Sequence, residues 1–330
     1  MFLGTYHSKL YGKSEYDTIA VEDTYNLLIS NKYIEKGEIL PIEKENMSQI
    51  CDLAKRCLLD DKTVLRIKPH VHVIGDLRGN YNHIWDMITT NETTDQFLFL
   101  GDYVNYGKNS IEVITLALCM KLIAPNQVFL LRGCQETEEM TKLHGFRDEC
   151  IDRFGEEIYN QFLDVFECMP LAAIATDIEK TKSILFMNGG ISPNLKKIEQ
   201  LDEIERPITN VESGIVHDIL FSDPISDNKK NNSSNDNGNT YGKNAVHRFL
   251  KNNHLDQIIR SHQYQYNGYS YPFGEFDDPC VLTIFSAPGY DNGKSHINTG
   301  AHLYLRDSML YTIAKISGAP DEKNNNAVRV

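Results

Sequence analysis

Four short apolar runs, each stopping at a polar string, are what most constrain the fold of this chain. They are Val71–Gly75, Phe97–Gly101, Val128–Leu131 and Ile184–Met187. Runs of four or five apolar residues are too short for buried helices and read as buried strands. Between them, Glu45–Leu59 places Ile50, Leu53, Ala54, Cys57 and Leu58 on one helical face, and Ser110–Ile123 reads as a further helix. Strands alternating with amphipathic helices imply a layered α/β (α+β) architecture, in which sites form where strand ends meet helix starts. Later, Val281–Phe285, Ala301–Leu305 and Met309–Ile316 read as the strands of a second sheet.

The strings at these junctions are themselves ordered. They read G-D-L-R-G (Gly75 to Gly79), G-D-Y-V-N-Y-G (Gly101 to Gly107), L-L-R-G-C-Q-E (Leu130 to Glu136) and M-N-G-G-I-S-P (Met187 to Pro193), followed by R-S-H-Q (Arg260 to Gln263) and F-S-A-P-G-Y (Phe285 to Tyr290). In order and spacing the series resembles the phosphoprotein phosphatases, Ser/Thr phosphatases with a two-metal centre, and most of all their type 1 members. There the strings are G-D-x-H-G, G-D-x-V-D-R-G, G-N-H-E, H-G-G, R-A-H and S-A-P-N-Y. The resemblance implies a metallophosphoesterase-type β-sandwich of two mixed sheets flanked by helices. It covers a single calcineurin-like phosphoesterase domain over residues 17–316, with an N-terminal extension at 1–16 and a flexible tail at 317–330. A mobile polar loop is expected at 226–240: it carries no apolar residue between Ser226 and Thr240, so nothing in it offsets the entropy of ordering it.

Phosphoester hydrolysis at two metals needs bridging carboxylates, a metal-held water, cations that grip the phosphate and an acid for the leaving oxygen. The family's first-metal ligands fall on Asp76, Arg78 and Asp102. Arg78 stands where a ligating His is needed, and a guanidinium has no lone pair to give; it is expected instead to lie against Asp76 and Asp102. The second-metal set falls on Asp102, Cys134, Asn188 and His262, which retains zinc-type donors. This leaves either no bound metal or a single Zn or Mn ion. A purely structural role for these polar residues and a buried, inert Cys134 stand beside the ligand reading.

The catalytic positions depart further. The general-acid His is Gln135, its orienting Asp is Asn105, and the phosphate-gripping arginines are Tyr106 and Asn237. An amide does not protonate a leaving alkoxide at neutral pH. The resemblance therefore implies a pseudophosphatase, with no catalytic residues expected. The alternative is a slow single-metal phosphoesterase built on Asp76, Asp102, Cys134, Asn188 and His262. Arg78 and Arg132 are the cations available to a phosphate in a capture-only reading, and Asp291 is a candidate recruited acid.

Composition narrows the partners. A formal net charge of −13, with no Lys/Arg-rich block, excludes an electrostatic footprint for nucleic acid. No apolar run approaches the ~20 residues of a membrane span. Seven cysteines without a C-x-x-C pair suit reduced thiols, hence an intracellular protein of the cytoplasm or nucleus. The expected partners are proteins, among them phosphatase regulators bearing short linear motifs. Carried over from the type 1 enzymes, the docking groove for such motifs falls on Ile184, Gln257, Tyr271, Met309, Tyr311 and Ile313, with Gln257 and Tyr311 narrowing it.

Overall fold

The computed structural model describes residues 15–31, 34, 38–90, 96–225, 234–235, 238–276, 278–290, 297–316 and 327–329. Its helices are α1 (Glu15–Ser30), α2 (Lys44–Asp60), α3 (Tyr81–Thr90), α4 (Ser110–Ile123), α5 (Glu138–His144), α6 (Phe146–Phe154), α7 (Glu156–Glu167), α8 (Glu199–Asp202), α9 (Gly214–Phe221) and α10 (Lys243–Asn253). The strands of the first half are β1 (Val64–Ile67), β2 (Val71–Ile74), β3 (Gln96–Phe99), β4 (Val128–Leu130), β5 (Ala172–Thr176) and β6 (Ser183–Met187). Those of the second half are β7 (Asp223–Pro224), β8 (Ser234–Asn235), β9 (Gly238–Tyr241), β10 (Gln257–Arg260), β11 (Tyr269–Ser270), β12 (Val281–Ile284), β13 (Gly300–Leu305), β14 (Tyr311–Ile316) and β15 (Ala327–Arg329).

Two six-stranded mixed sheets form, in the orders β1-β5-β6-β10-β12-β11 and β15-β14-β13-β2-β3-β4. Their inner faces meet in one apolar layer that includes Val71, Val73, Leu98, Phe186, Ile259, Leu282, Leu303 and Ile313. The outer face of the second sheet, through Ile74, Phe97 and Phe99, packs under α2, α4 and α7. The outer face of the first, through Leu185, Met187 and Ile258, packs under α9 and α10. Burying each sheet on both sides is what lets its strands be continuous apolar runs.

Three sequence expectations change here. The late strands do not share a sheet: β12 pairs with β10, whereas β13 and β14 extend from β2. β12 is buried at every position and sits inside its sheet, while β13 and β14 alternate toward an outer face that stays partly open. In the segment expected to be a mobile loop, β8 and β9 form an antiparallel pair and β9 also pairs with β7, because β9 runs into Tyr241, which is buried in the core just past the segment, and the backbone ladder extends from there. In the expected flexible tail, Ala327–Arg329 pairs with β14. α4 matches its expected span but is buried along its whole length rather than on one face. Its charges are paired: Glu112 lies 2.8 Å from Arg153, and Lys121 2.8 Å from Asp61. Among the described residues no helix is long and apolar enough to cross a membrane.

Candidate metal centre

The C-terminal ends of β2, β3, β4, β6, β10 and β12 converge, and every string singled out in the sequence follows one of these ends. A lone parallel bridge between Asp76 and Phe285 joins the two sheets at this point. The first two strings are laced by backbone bonds. Leu77 and Arg78 N–H both reach Asp102 O at 3.0 Å, and Gly79 N–H reaches Tyr103 O at 2.8 Å. The packing is tight enough that a Cβ on Gly101, at φ +99°, would stand 2.4 Å from Gly133 N. Arg78, Asp102, Asn105, Tyr106 and His262 all take left-handed backbone, with φ between 47° and 73°. Such conformations cost about 1–3 kcal/mol each and persist only where surrounding structure enforces them.

Arg78 lies between the two carboxylates. Its Nη2 stands 2.7 Å from Asp76 Oδ2 and 2.9 Å from Asp102 Oδ2, its Nε donates to Asp76 Oδ2 at 2.9 Å, and Nη2 also reaches His262 O at 3.1 Å. Both carboxylates are fully buried and Arg78 is 7% exposed. Burial would raise the Asp102 carboxyl, but Arg78 and then His262 outweigh it and hold the group well below the usual carboxylate range. Burial raises Asp76, against the pull of Arg78, so the two carboxylates are not equivalent. Asp76 Oδ1 accepts from the Ser261 hydroxyl and from His262 N–H, the latter at 2.7 Å. The donor set for a first metal thus contains a cation in place of a ligand, and it does not fit a divalent ion.

The second donor set is different. One ligand atom from each of Asp102, Cys134 and His262 lies within 4.8 Å of the others. Cys134 Sγ is 3.1 Å from His262 Nδ1 and 3.6 Å from Asp102 Oδ2. Burial and the Asp102 charge push the Cys134 thiol well above its ordinary value, so a metal would have to displace its proton. These three residues could hold one soft or borderline ion. Asn188 is committed elsewhere: its Oδ1 accepts from Cys134 N–H at 3.2 Å and its Nδ2 donates to Leu100 O at 3.0 Å.

The catalytic positions form a hydrogen-bonded amide pair. Asn105 Nδ2 donates to Gln135 Oε1 at 2.9 Å, and Gln135 Nε2 donates to Cys134 Sγ at 3.1 Å. Tyr106 stacks on His144 with ring centroids 4.5 Å apart, and the Arg78 guanidinium lies 5.1 Å from its ring centre. Together with Tyr290 it makes an aromatic wall over Arg78, in a cleft of about 1080 Å³ that also exposes Glu138, Glu139, Glu212 and Asp223. Arg132 does not face this cleft. It is buried, donates to Glu136 O and Ile208 O at 3.0 and 2.7 Å, and burial lowers it to about 10. It is therefore removed from the set of phosphate-binding cations. Asn237 and Asp291 lie outside the described residues.

Three residues that sequence reasoning left unassigned hold the centre together. The Glu136 carboxylate accepts from the N–H groups of Asp102, Tyr103, Val104 and Gly133. Ser261 clamps Asp76 from both sides, donating to Oδ1 and accepting from its N–H. Both sit inside strings already singled out, so position was the available signal. Asp223, 3.9 Å from His262 Nε2, belongs to no string, and nothing in the sequence pointed to it.

Of the six groove positions, Ile184, Gln257, Tyr271, Met309 and Tyr311 line one groove of about 700 Å³. Ile313 does not; it points to the same face of β14 as Tyr311 but lies deeper between the sheets, where it is wholly buried, while Tyr311, at the start of the strand, packs against the edge of that core. The groove is bridged from within: Gln257 Nε2 donates to Tyr311 Oη at 2.9 Å, and the Tyr271 and Tyr311 hydroxyls are 3.1 Å apart.

Two stacked mixed sheets carrying a carboxylate-bearing site at their converging strand ends define a protein of the metallophosphoesterase fold. The chain matches the calcineurin-like phosphoesterase family over residues 69–266, and it belongs to that family. Its structure is similar to that of a protein serine/threonine phosphatase from Saccharomyces cerevisiae with similarity to human phosphatase PP5. The TM-score is 0.75 at 25% sequence identity, over 95% of this chain and 99% of that one. It also resembles in fold a cold-active protein-tyrosine phosphatase of a psychrophile, Shewanella sp., with a TM-score of 0.51 at 15% identity over 80% and 83% of the two chains.

Proposed function

We propose that this chain is a pseudophosphatase: a catalytically impaired, type 1-like homologue of the Ser/Thr protein phosphatases that acts inside the cell, in cytoplasm or nucleus, as a binding or scaffold protein. The observation that carries this reading is the Arg78 guanidinium, which pairs with Asp76 and Asp102 where the family places a metal held by those carboxylates and a histidine. With the cation built into the chain, no ion between those carboxylates supplies a nucleophilic water. Loss of the general acid at Gln135 removes a further factor of about 10² to 10⁴ in rate. Loss of charged phosphate contacts at Tyr106 removes about 10² to 10³, by analogy with oxyanion donors. The groups act as a unit, so these factors do not simply multiply.

What remains is a surface, and the groove beside β14 supports protein docking. Its lining of Ile184, Tyr271, Met309 and Leu310 suits an extended segment bearing a valine and a phenylalanine, of the kind carried by phosphatase regulators. A second reading, a slow single-metal phosphoesterase, is favoured by the Asp102, Cys134 and His262 cluster. The two separate in one assay: turnover of phosphopeptides by the purified chain in Mn²⁺ or Zn²⁺, compared with Asp102→Asn. The scaffold reading expects background turnover in both proteins. Metal-dependent turnover abolished by Asp102→Asn would establish the enzyme instead.

A further inference from the structure

Beside the groove, α10 and the segment entering β12 bring together three potential ligand residues that the phosphoesterase site does not use. His247 Nε2 lies 2.6 Å from Asp278 Oδ2. The Cys280 thiol lies beside the same carboxylate. One donor atom from each of the three falls within 4.8 Å of the others. Imidazole, carboxylate and thiolate are the donors zinc takes, and they carry softness that calcium and magnesium sites lack.

Local structure explains the convergence. Lys243 and His247, four residues apart, share one face of α10 and both point to Asp278. Asp278 and Cys280 are separated only by Pro279, whose fixed φ makes their relative placement rigid. The Asp278 side chain is 11% exposed and that of His247 50% exposed, so the site has a buried floor and an open side where water can complete a tetrahedron. Lys243 Nζ, 2.8 Å from Asp278 Oδ2, now balances this carboxylate. Its side chain is 32% exposed and has a route to water when a dication takes its place.

We propose that His247, Asp278 and Cys280 form a zinc-binding site on the groove wall, independent of the Asp102 centre. Zinc entering it releases the Cys280 proton to solvent and displaces the Lys243 ammonium from Asp278. The site does not depend on the scaffold reading, since an active phosphatase with the same wall would hold the ion equally well.

The test uses the full chain carrying Cys134→Ser, which removes the thiol of the other centre, after dialysis against a chelator. Zn²⁺ is titrated in competition with a chromophoric chelator, and Co²⁺ is followed by its visible and thiolate charge-transfer absorption. One equivalent of zinc and a tetrahedral cobalt spectrum with a thiolate band are expected. Adding Cys280→Ser abolishes the thiolate band. Adding His247→Ala, at a half-exposed position that folding tolerates, weakens zinc more than about tenfold, a scale that loss of an outer-shell partner alone reaches. Lys243→Ala, which removes the competing ammonium, tightens binding. No zinc uptake, or uptake unaltered by both His247→Ala and Cys280→Ser, overturns the proposal.

Discussion

Replacing Arg78 with alanine tests whether the guanidinium is the internal counter-ion of the site. The change leaves Asp76 and Asp102, both fully buried, facing each other without the group that stood 2.7 and 2.9 Å from their Oδ2 atoms. Breaking a buried ion pair from one side costs about 3–5 kcal/mol, because the abandoned charge has neither water nor partner. Against a total stability of about 5–15 kcal/mol this is a large share. Alanine keeps a Cβ at φ 47°, so backbone strain is common to both proteins and cancels. The sign with pH follows from Asp102, whose carboxyl is depressed in the folded chain. Its contribution is present above the unfolded carboxylate value of about 4 and lost as pH falls through the folded value, so the gap between the proteins narrows in acid. The assay is urea unfolding followed by the fluorescence of Trp85, the single tryptophan, whose Nε1 is bonded to Ile29 O at 2.8 Å in the folded state. In the variant the vacated carboxylates accept a dication, and Mn²⁺ at a hundred times its dissociation constant restores about 2.7 kcal/mol. An Arg78→Ala protein within about 0.5 kcal/mol of the parent at neutral pH, the range of ordinary surface changes, would refute the counter-ion argument.

Further outcomes follow from other buried groups. His83 is 3% exposed with its Nε2 unpartnered, and burial, then His302, lowers it to about 3. The unfolded chain, with a histidine value of about 6.5, takes up that proton first as pH falls. Stability present above about pH 6.5 therefore declines at about 1.4 kcal/mol per pH unit toward pH 3, and a urea-midpoint series should flatten in His83→Leu. Glu136→Ala strands four backbone N–H groups and should lower stability by at least about 3 kcal/mol in a thermal melt, where the exposed Glu138→Ala changes little; a loss below about 1 kcal/mol would remove the clamp role. Tyr311→Phe deletes only the hydroxyl joining Gln257 and Tyr271, keeps the ring packed on the core, and should change the affinity of a peptide bearing valine and phenylalanine measurably while the melt shifts little. Unchanged binding in an anisotropy titration would empty the groove of meaning.

Much of this molecule is determined by local chemistry and so is readable in the chain itself. The apolar runs at Val71, Phe97, Val128 and Ile184 form strands because their length and burial suit nothing else, and each site string begins where its run ends. Residue type alone excludes Arg78 as a ligand and Gln135 as an acid, since a guanidinium has no free lone pair and an amide no proton to give. The division of the late strands between two sheets was not readable, because pairing is settled by which faces become buried, over separations that no local pattern records. The same holds for the site. Cys134 and His262 are 128 positions apart yet stand 3.1 Å from each other, Asp223 reaches His262 without belonging to any string, and Ile313 is wholly buried while Tyr311, on the same face of β14, lines the groove. Chain composition selected the donors and the cation; the packing of two sheets decided that the cation lies on Asp76 and Asp102 and that the remaining donors face one another.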